Sequence, residues 1–185
     1  MHREQLLSLL RKYRTPFNME AGYASRARRF VQHHANCFDR NSWPAHITGS
    51  AWVVNPKRDK VLLLHHRKHD KWFQPGGHAD GDPDVLRVAL REVHEETGLP
   101  CDAIKLLQES IFDVDIHTIP ASERGPEHQH FDIRFLIEID DRLHIPGNAE
   151  SYQARWVHLS DVTSYNNSLS TFRMLDKIRR MRTAA

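Results

Sequence analysis

Between Gly76 and Leu99 the chain carries a segment whose punctuation leaves little structural choice: a glycine-rich loop, then a helix, then a stop. Asp82 is placed as an N-cap, because its carboxylate can accept a bond from an early helical N–H. Pro83 suits the first helical position, where a missing N–H costs nothing. Gly98 is placed for a left-handed C-cap. Between them Leu86, Ala89, Leu90 and Val93 fall on one apolar stripe at helical spacing.

Glu92, Glu95 and Glu96 sit three and four residues apart, so their carboxylates are neighbours on that helix. Crowded like charges cost a bare helix roughly a few tenths of a kcal/mol per pair. One reading of the cluster is a solvated charged face. The other is a cation site, in which repulsion becomes ligation. Hard Mg²⁺ or Mn²⁺ takes carboxylate and carbonyl oxygens, and Mg²⁺ keeps waters that a substrate can replace. The pair Gly76-Gly77 brings bare backbone to the same segment, with carbonyls to ligate and amides to face a phosphate.

The joint pattern runs from Lys71-Trp72-Phe73-Gln74-Pro75 through the glycine pair to Arg91-Glu92-Val93-x-Glu95-Glu96-x-Gly98-Leu99. It resembles the Nudix box, G-x5-E-x7-R-E-U-x-E-E-x-G-U, where U is aliphatic. With Gly77 as the first glycine, Arg91, Glu92, Val93, Glu95, Glu96, Gly98 and Leu99 fall into place. The first glutamate of the box falls on Pro83, flanked by Asp82 and Asp84, either of which could supply the missing carboxylate. The resemblance implies an α/β protein, a Nudix-type α/β/α sandwich with a mixed curved sheet. It also implies Mg²⁺-dependent (or Mn²⁺-dependent) hydrolysis of a nucleoside diphosphate linked to another moiety. Glu92, Glu95 and Glu96, with the Gly76 carbonyl, are then the expected metal ligands. Arg91, Glu92 and Glu95 are the expected catalytic group, Arg91 orienting a glutamate through an ion pair.

The rest of the chain supplies the strands that such a fold requires. Residues 1–42 read as a helical hairpin appended to a domain over 43–185. Leu6, Leu7, Leu9 and Leu10 mark its first helix; Ala21, Ala24, Ala27, Phe30 and Val31 mark the second. Arg26, Arg28 and Arg29 on the second helix are either a solvated face or a phosphate or RNA contact. The hairpin could instead cover a pocket or build a homodimer interface. Ile47–Val54 and Val61–Arg67 read as strands around the Asn55-Pro56 turn. Lys105–His117 reads as one long strand, broken by a bulge if at all. Ala154–Leu159 is another strand, and Ser170–Arg182 is a closing helix with Phe172, Leu175 and Ile178 inward.

The strand after residue 127 alternates sharply, with His128, His130, Asp132 and Arg134 on one side. That side is expected to line the pocket. Arg134 has the planar fork that suits a phosphate oxygen, and Asp132 could hold it or His130. The His-x-His-x-Asp spacing also admits a zinc site. Arg67 and Glu150 complete the expected substrate-binding set with His128, His130, Asp132 and Arg134.

A net charge of +2 is too small to argue for a dedicated nucleic-acid binder; the small-molecule nucleotide expected as partner is what the resemblance implies. No apolar run approaches membrane-spanning length, and the first residues lack the apolar core of a secretory signal. Cys37 and Cys101 show neither metal spacing nor a pairing pattern. A cytoplasmic protein is therefore expected. Two other functions stay open: a non-catalytic Nudix-fold nucleotide-binding or regulatory module, and an RNA-processing pyrophosphohydrolase.

Overall fold

The computed structural model describes residues 2–68, 70–123, 125–149 and 151–183. In chain order the elements are α1 (Glu4–Lys12), α2 (Asn18–His33), β1 (Ala45–Val54), β2 (Lys60–His66), β3 (Lys71–Phe73) and β4 (Gly76–His78). There follow α3 (Val85–Thr97), a 3₁₀ turn (Cys101–Ala103), β5 (Lys105–Leu106), β6 (Asp113–Ile119), β7 (His128–Glu138), β8 (Ser151–His158), α4 (Val162–Tyr165) and α5 (Leu169–Thr183). They form two compact units. The first is Met1–Ser50, Gly76–Ala89 and Gln108–Phe135; the second is Ala51–Pro75, Leu90–Leu107 and Leu136–Ala185. β1, α3 and β7 contribute residues to both.

In the first unit the strands run in the order β4, β1, β7, β6. β4 lies antiparallel to β1, pairing Thr48 with His78 and Ser50 with Gly76. β6 lies antiparallel to β7 from Asp113 opposite Arg134 to Ile119 opposite His128. Gln129 N–H donates to Pro44 O at 2.9 Å in this unit, and Ile139 N–H donates to Val54 O at 3.0 Å in the other. The equal stagger at both ends makes β7 parallel to β1, so the sheet is mixed.

The N-terminal helices pack into this first unit through a polar anchor that hydropathy does not reveal. Glu20 is fully buried and accepts from the hydroxyls of Tyr13 and Thr15 and from Val114 N–H. Phe30 stacks on Phe131 with centroids 4.6 Å apart. Turning Glu20 inward sets the phase of α2. Ala27 and Val31 are buried, whereas Ala21, expected inside, is exposed and Ala24 only half-buried.

The second unit orders its strands β3, β2, β1, β7, β5, with β8 antiparallel to β2 over Lys60–His66. Its core joins Ala51, Val53, Leu62, Val93, Leu99, Ile137 and Ile139. The expected single strand Lys105–His117 is two strands. Leu107 N–H donates to Leu136 O and Phe112 N–H to Arg134 O, so the polar run from Gln108 is looped out between them. In α5 the expected inward Phe172 is 49% exposed; the buried row is Thr171, Met174, Leu175 and Ile178. Phe172 sits one residue off that row, so it turns outward. No helix among the described residues is long and apolar enough to cross a membrane. Both cysteines are free, and burial pushes the Cys37 thiol up to about 11.

β4 approaches β1 so closely that a Cβ at Gly76 would lie 2.2 Å from Ser50 Cβ and 2.8 Å from its Cα. One of the two strands would have to move. Gly76→Ala should therefore cost about 3 kcal/mol in urea denaturation, at the upper end of overpacking penalties. A loss below about 0.5 kcal/mol would mean that the two backbones are not held at this separation.

Candidate functional site

The helix that carries the carboxylates starts two residues later than its punctuation suggests. Asp84, not Asp82, is the cap: its Oδ1 accepts from Arg87 N–H at 3.1 Å and its carbonyl from Val88 N–H at 3.0 Å. Asp82 accepts from Asp84 N–H at 2.9 Å and is gripped by the Arg87 guanidinium at 2.8 and 2.5 Å. Pro83 thus sits in the turn and not at the first helical position. Each acid accepts from a different backbone N–H, and the fork of Arg87 holds Asp82 in the turn. At the other end Gly98 has φ +71° and donates to His94 O at 2.9 Å, as a left-handed cap requires.

The later start goes with a change in the buried stripe, which is Val85, Val88, Ala89 and Val93; Leu86 and Leu90 are only partly covered. That change places the glutamates. Val85, Val88, Glu92 and Glu96 follow one another at spacings of three, four and four, so both acids continue the covered row of α3. The Glu92 side chain is 15% exposed and Glu96 is 6% exposed, while the Glu95 side chain, one position off the row, is 55% exposed. A plain solvated face does not describe Glu92 and Glu96. Arg91 donates to Glu92 at 2.7 Å and stands 3.8 Å from Glu95, so one guanidinium serves two of the three carboxylates.

A second polar group lies in the first unit. The Arg134 side chain is 4% exposed and meets Asp132 at 2.7 Å, Asp113 at 3.2 Å and Asp115 at 3.3 Å. Asp132 also accepts from Thr48 Oγ1 at 3.0 Å and Ser50 Oγ at 2.9 Å. Burial works against the charge of Arg134, but the three carboxylates outweigh it and hold its pKa above the ordinary range. This corrects the expectation of an Arg134 fork open to phosphate, since its donors are directed at Asp113, Asp115 and Asp132.

Beside this network stand histidines. One ligand atom from each of His46, His78 and His130 lies within 4.8 Å of the others. His128 Nε2 is 3.2 Å from His130 Nε2, and its Nδ1 is 2.8 Å from Pro126 O. Burial, then the neighbouring histidines, lowers His46 to about 4 and pushes His130 further down.

The remaining expected residues are scattered. Arg67 is exposed; its Nε donates to Ser151 O at 3.1 Å and its guanidinium lies 4.9 Å over the Tyr152 ring. Glu150 lies outside the described residues. Sequence reasoning did not single out His46, Thr48, Ser50 or His78. The first three alternate along β1 and so share a face, which was the available signal; His78 lay within the glycine loop and carried none of its own.

Residues 44–177 match the family model of the NUDIX domain, and the chain belongs to this family. It is 34% identical over 98 residues to a probable DHNTP pyrophosphohydrolase of Lactococcus lactis, a match covering 52% of this chain and 55% of that one. The chain thus spans about half of that relative's length. It is 27% identical over 124 residues to an RNA pyrophosphohydrolase of Sphingopyxis alaskensis, covering 60% of this chain and 78% of the other. Among solved structures, the Ap4A hydrolase of C. elegans in a binary complex superposes with a TM-score of 0.61 at 16% identity, over 75% of this chain and 98% of that one. That likeness bears on the fold.

Proposed function

We propose that the chain is a Mg²⁺- or Mn²⁺-dependent hydrolase that cleaves the diphosphate linkage of a nucleoside diphosphate derivative. The observation that carries this reading is the row of carboxylates on α3, two of them on its covered side and two shared by Arg91, in a chain of this family. The donor set fits the cation. It is built of oxygens alone, which suits a hard divalent ion and not a soft one. Glu92, Glu95 and Glu96 would hold it.

When bound, the ion offsets charge on the phosphate oxygens and makes an attacking water more nucleophilic. The chain's own residues do the rest. Arg91, which donates to Glu92 at 2.7 Å, fixes the orientation of that carboxylate. Glu92 then serves as ligand or takes the proton of the water. The water oxygen bonds to phosphorus, the bridging P–O bond breaks, and two phosphate-bearing products leave. Arg67, exposed over Tyr152, offers a cation and an adjacent ring to the rest of the substrate. The two free thiols support work in a reducing compartment such as the cytoplasm.

The test is a panel of nucleoside triphosphates, dinucleoside polyphosphates, nucleotide sugars, ADP-ribose and coenzyme A, with Mg²⁺, Mn²⁺ or a chelator. At least one substrate should be split into two phosphate-bearing products, only with metal present. Binding without turnover across the panel would instead identify a nucleotide-binding module.

A further inference from the structure

We propose that His46, His78 and His130 bind one zinc-class divalent cation, with His128 as the fourth donor, as a clip across β1, β4 and β7. The proposal is independent of the hydrolase reading, because its donors and its place differ from those of the acidic row on α3. The ring centroids of the three histidines are 5.1, 4.7 and 5.1 Å apart, and their ligand atoms lie within 4.8 Å of one another. Tetrahedral zinc at about 2.0–2.1 Å from each nitrogen sets the nitrogens about 3.4 Å apart. Small side-chain rotations close that difference.

A second observation points to a ligand. His46 is 1% exposed, and neither of its ring nitrogens has a hydrogen-bond partner. The Ser42 backbone lies close enough to the ring to raise its pKa a little against the larger lowering by burial, without completing a hydrogen bond. Ring stacking alone would leave both buried polar atoms unused, whereas a metal would take the lone pair of one of them. His128 carries the support typical of a metal-bound imidazole. Its Nδ1–H donates to Pro126 O, which leaves the Nε2 lone pair facing His130. Trp43 packs edge-on against His128 and His46 and shields the group. Four neutral imidazoles suit zinc, nickel or copper and do not suit magnesium. His78 ends β4 immediately after Gly76-Gly77, so the clip would fix the glycine turn to β1 and β7.

The experiment uses the full chain without an affinity tag, stripped by chelator and titrated with Zn²⁺. Calorimetry should give about one zinc per chain at micromolar affinity or tighter, and Tm should rise by several degrees. Co²⁺ in place of zinc should show visible bands of tetrahedral intensity. His78→Gln and His130→Gln should each fold, lose those bands and weaken binding by at least about tenfold. Excess Mg²⁺ should leave the zinc in place, and Glu95→Gln should bind zinc as the parent does. Unsaturable binding, or equal affinity in the two histidine variants, would reduce the metal to adventitious capture by other histidines and overturn the proposal. Displacement by Mg²⁺, or loss of zinc in Glu95→Gln, would overturn it too, by moving the ion to the α3 acids.

Discussion

Glu95→Gln should lower metal-dependent turnover by about a hundredfold or more and leave folding almost untouched. The substitution keeps the size of the side chain and removes its charge. Because the Glu95 side chain is 55% exposed, its stability cost should stay within about 0.5 kcal/mol. A hundredfold loss corresponds to about 2.7 kcal/mol of transition-state stabilisation, the size expected when one electrostatic partner of a reacting phosphate is lost. The metal dependence tells which role is lost. If Glu95 is a ligand, raising Mg²⁺ should restore part of the rate, because affinity for the ion is what fell. If it moves a proton, saturating metal should restore nothing. Activity within about threefold of the parent at every metal concentration would remove Glu95 from the site. Glu92→Gln makes a useful contrast, since its carboxylate is the one that Arg91 grips at 2.7 Å.

Local chemistry was readable from the sequence wherever it repeats with a fixed period. Helix α3, its glycine stop, the strands around Asn55-Pro56 and the run of glutamates on α3 all follow from spacing and punctuation. Errors arose where two residues of like chemistry compete. Asp82 and Asp84 are both good caps by type, and in the fold Asp84 takes the helical N–H while Asp82 takes the Arg87 guanidinium. Phe172 and Met174 are both apolar, and the two-residue step between them puts them on opposite sides of α5, one outside and one inside. Long-range polar pairing was the least readable. Glu20 with Val114, and Asp132 with Thr48 and Ser50, join residues more than eighty positions apart, and no periodicity encodes such a partnership. The same holds for the histidines, which come from three strands. The chain has 14 histidines, but a count carries no distances.

Arg134→Met should destabilise the chain by about 3–5 kcal/mol, the range for removing one partner of a buried ion pair. For a chain of this length that is roughly 10 °C in Tm. Methionine nearly fills the space of the arginine stem, so the loss of packing is small. What remains is Asp113, Asp115 and Asp132 facing one another with their shared cation gone. Asp113 is fully buried and Asp132 almost so, and water cannot easily replace the guanidinium. The charge explanation has its own control. In Arg134→Met combined with Asp132→Asn, one of the stranded charges is gone, and the double variant should be more stable than the sum of the two single losses predicts. Arg134→Lys should fall between parent and methionine, because an ammonium keeps the charge but cannot reach three carboxylates with a planar fork. A cost for Arg134→Met below about 1 kcal/mol would mean that the guanidinium does not hold the acids together, and would return Arg134 to the role of a phosphate-gripping residue.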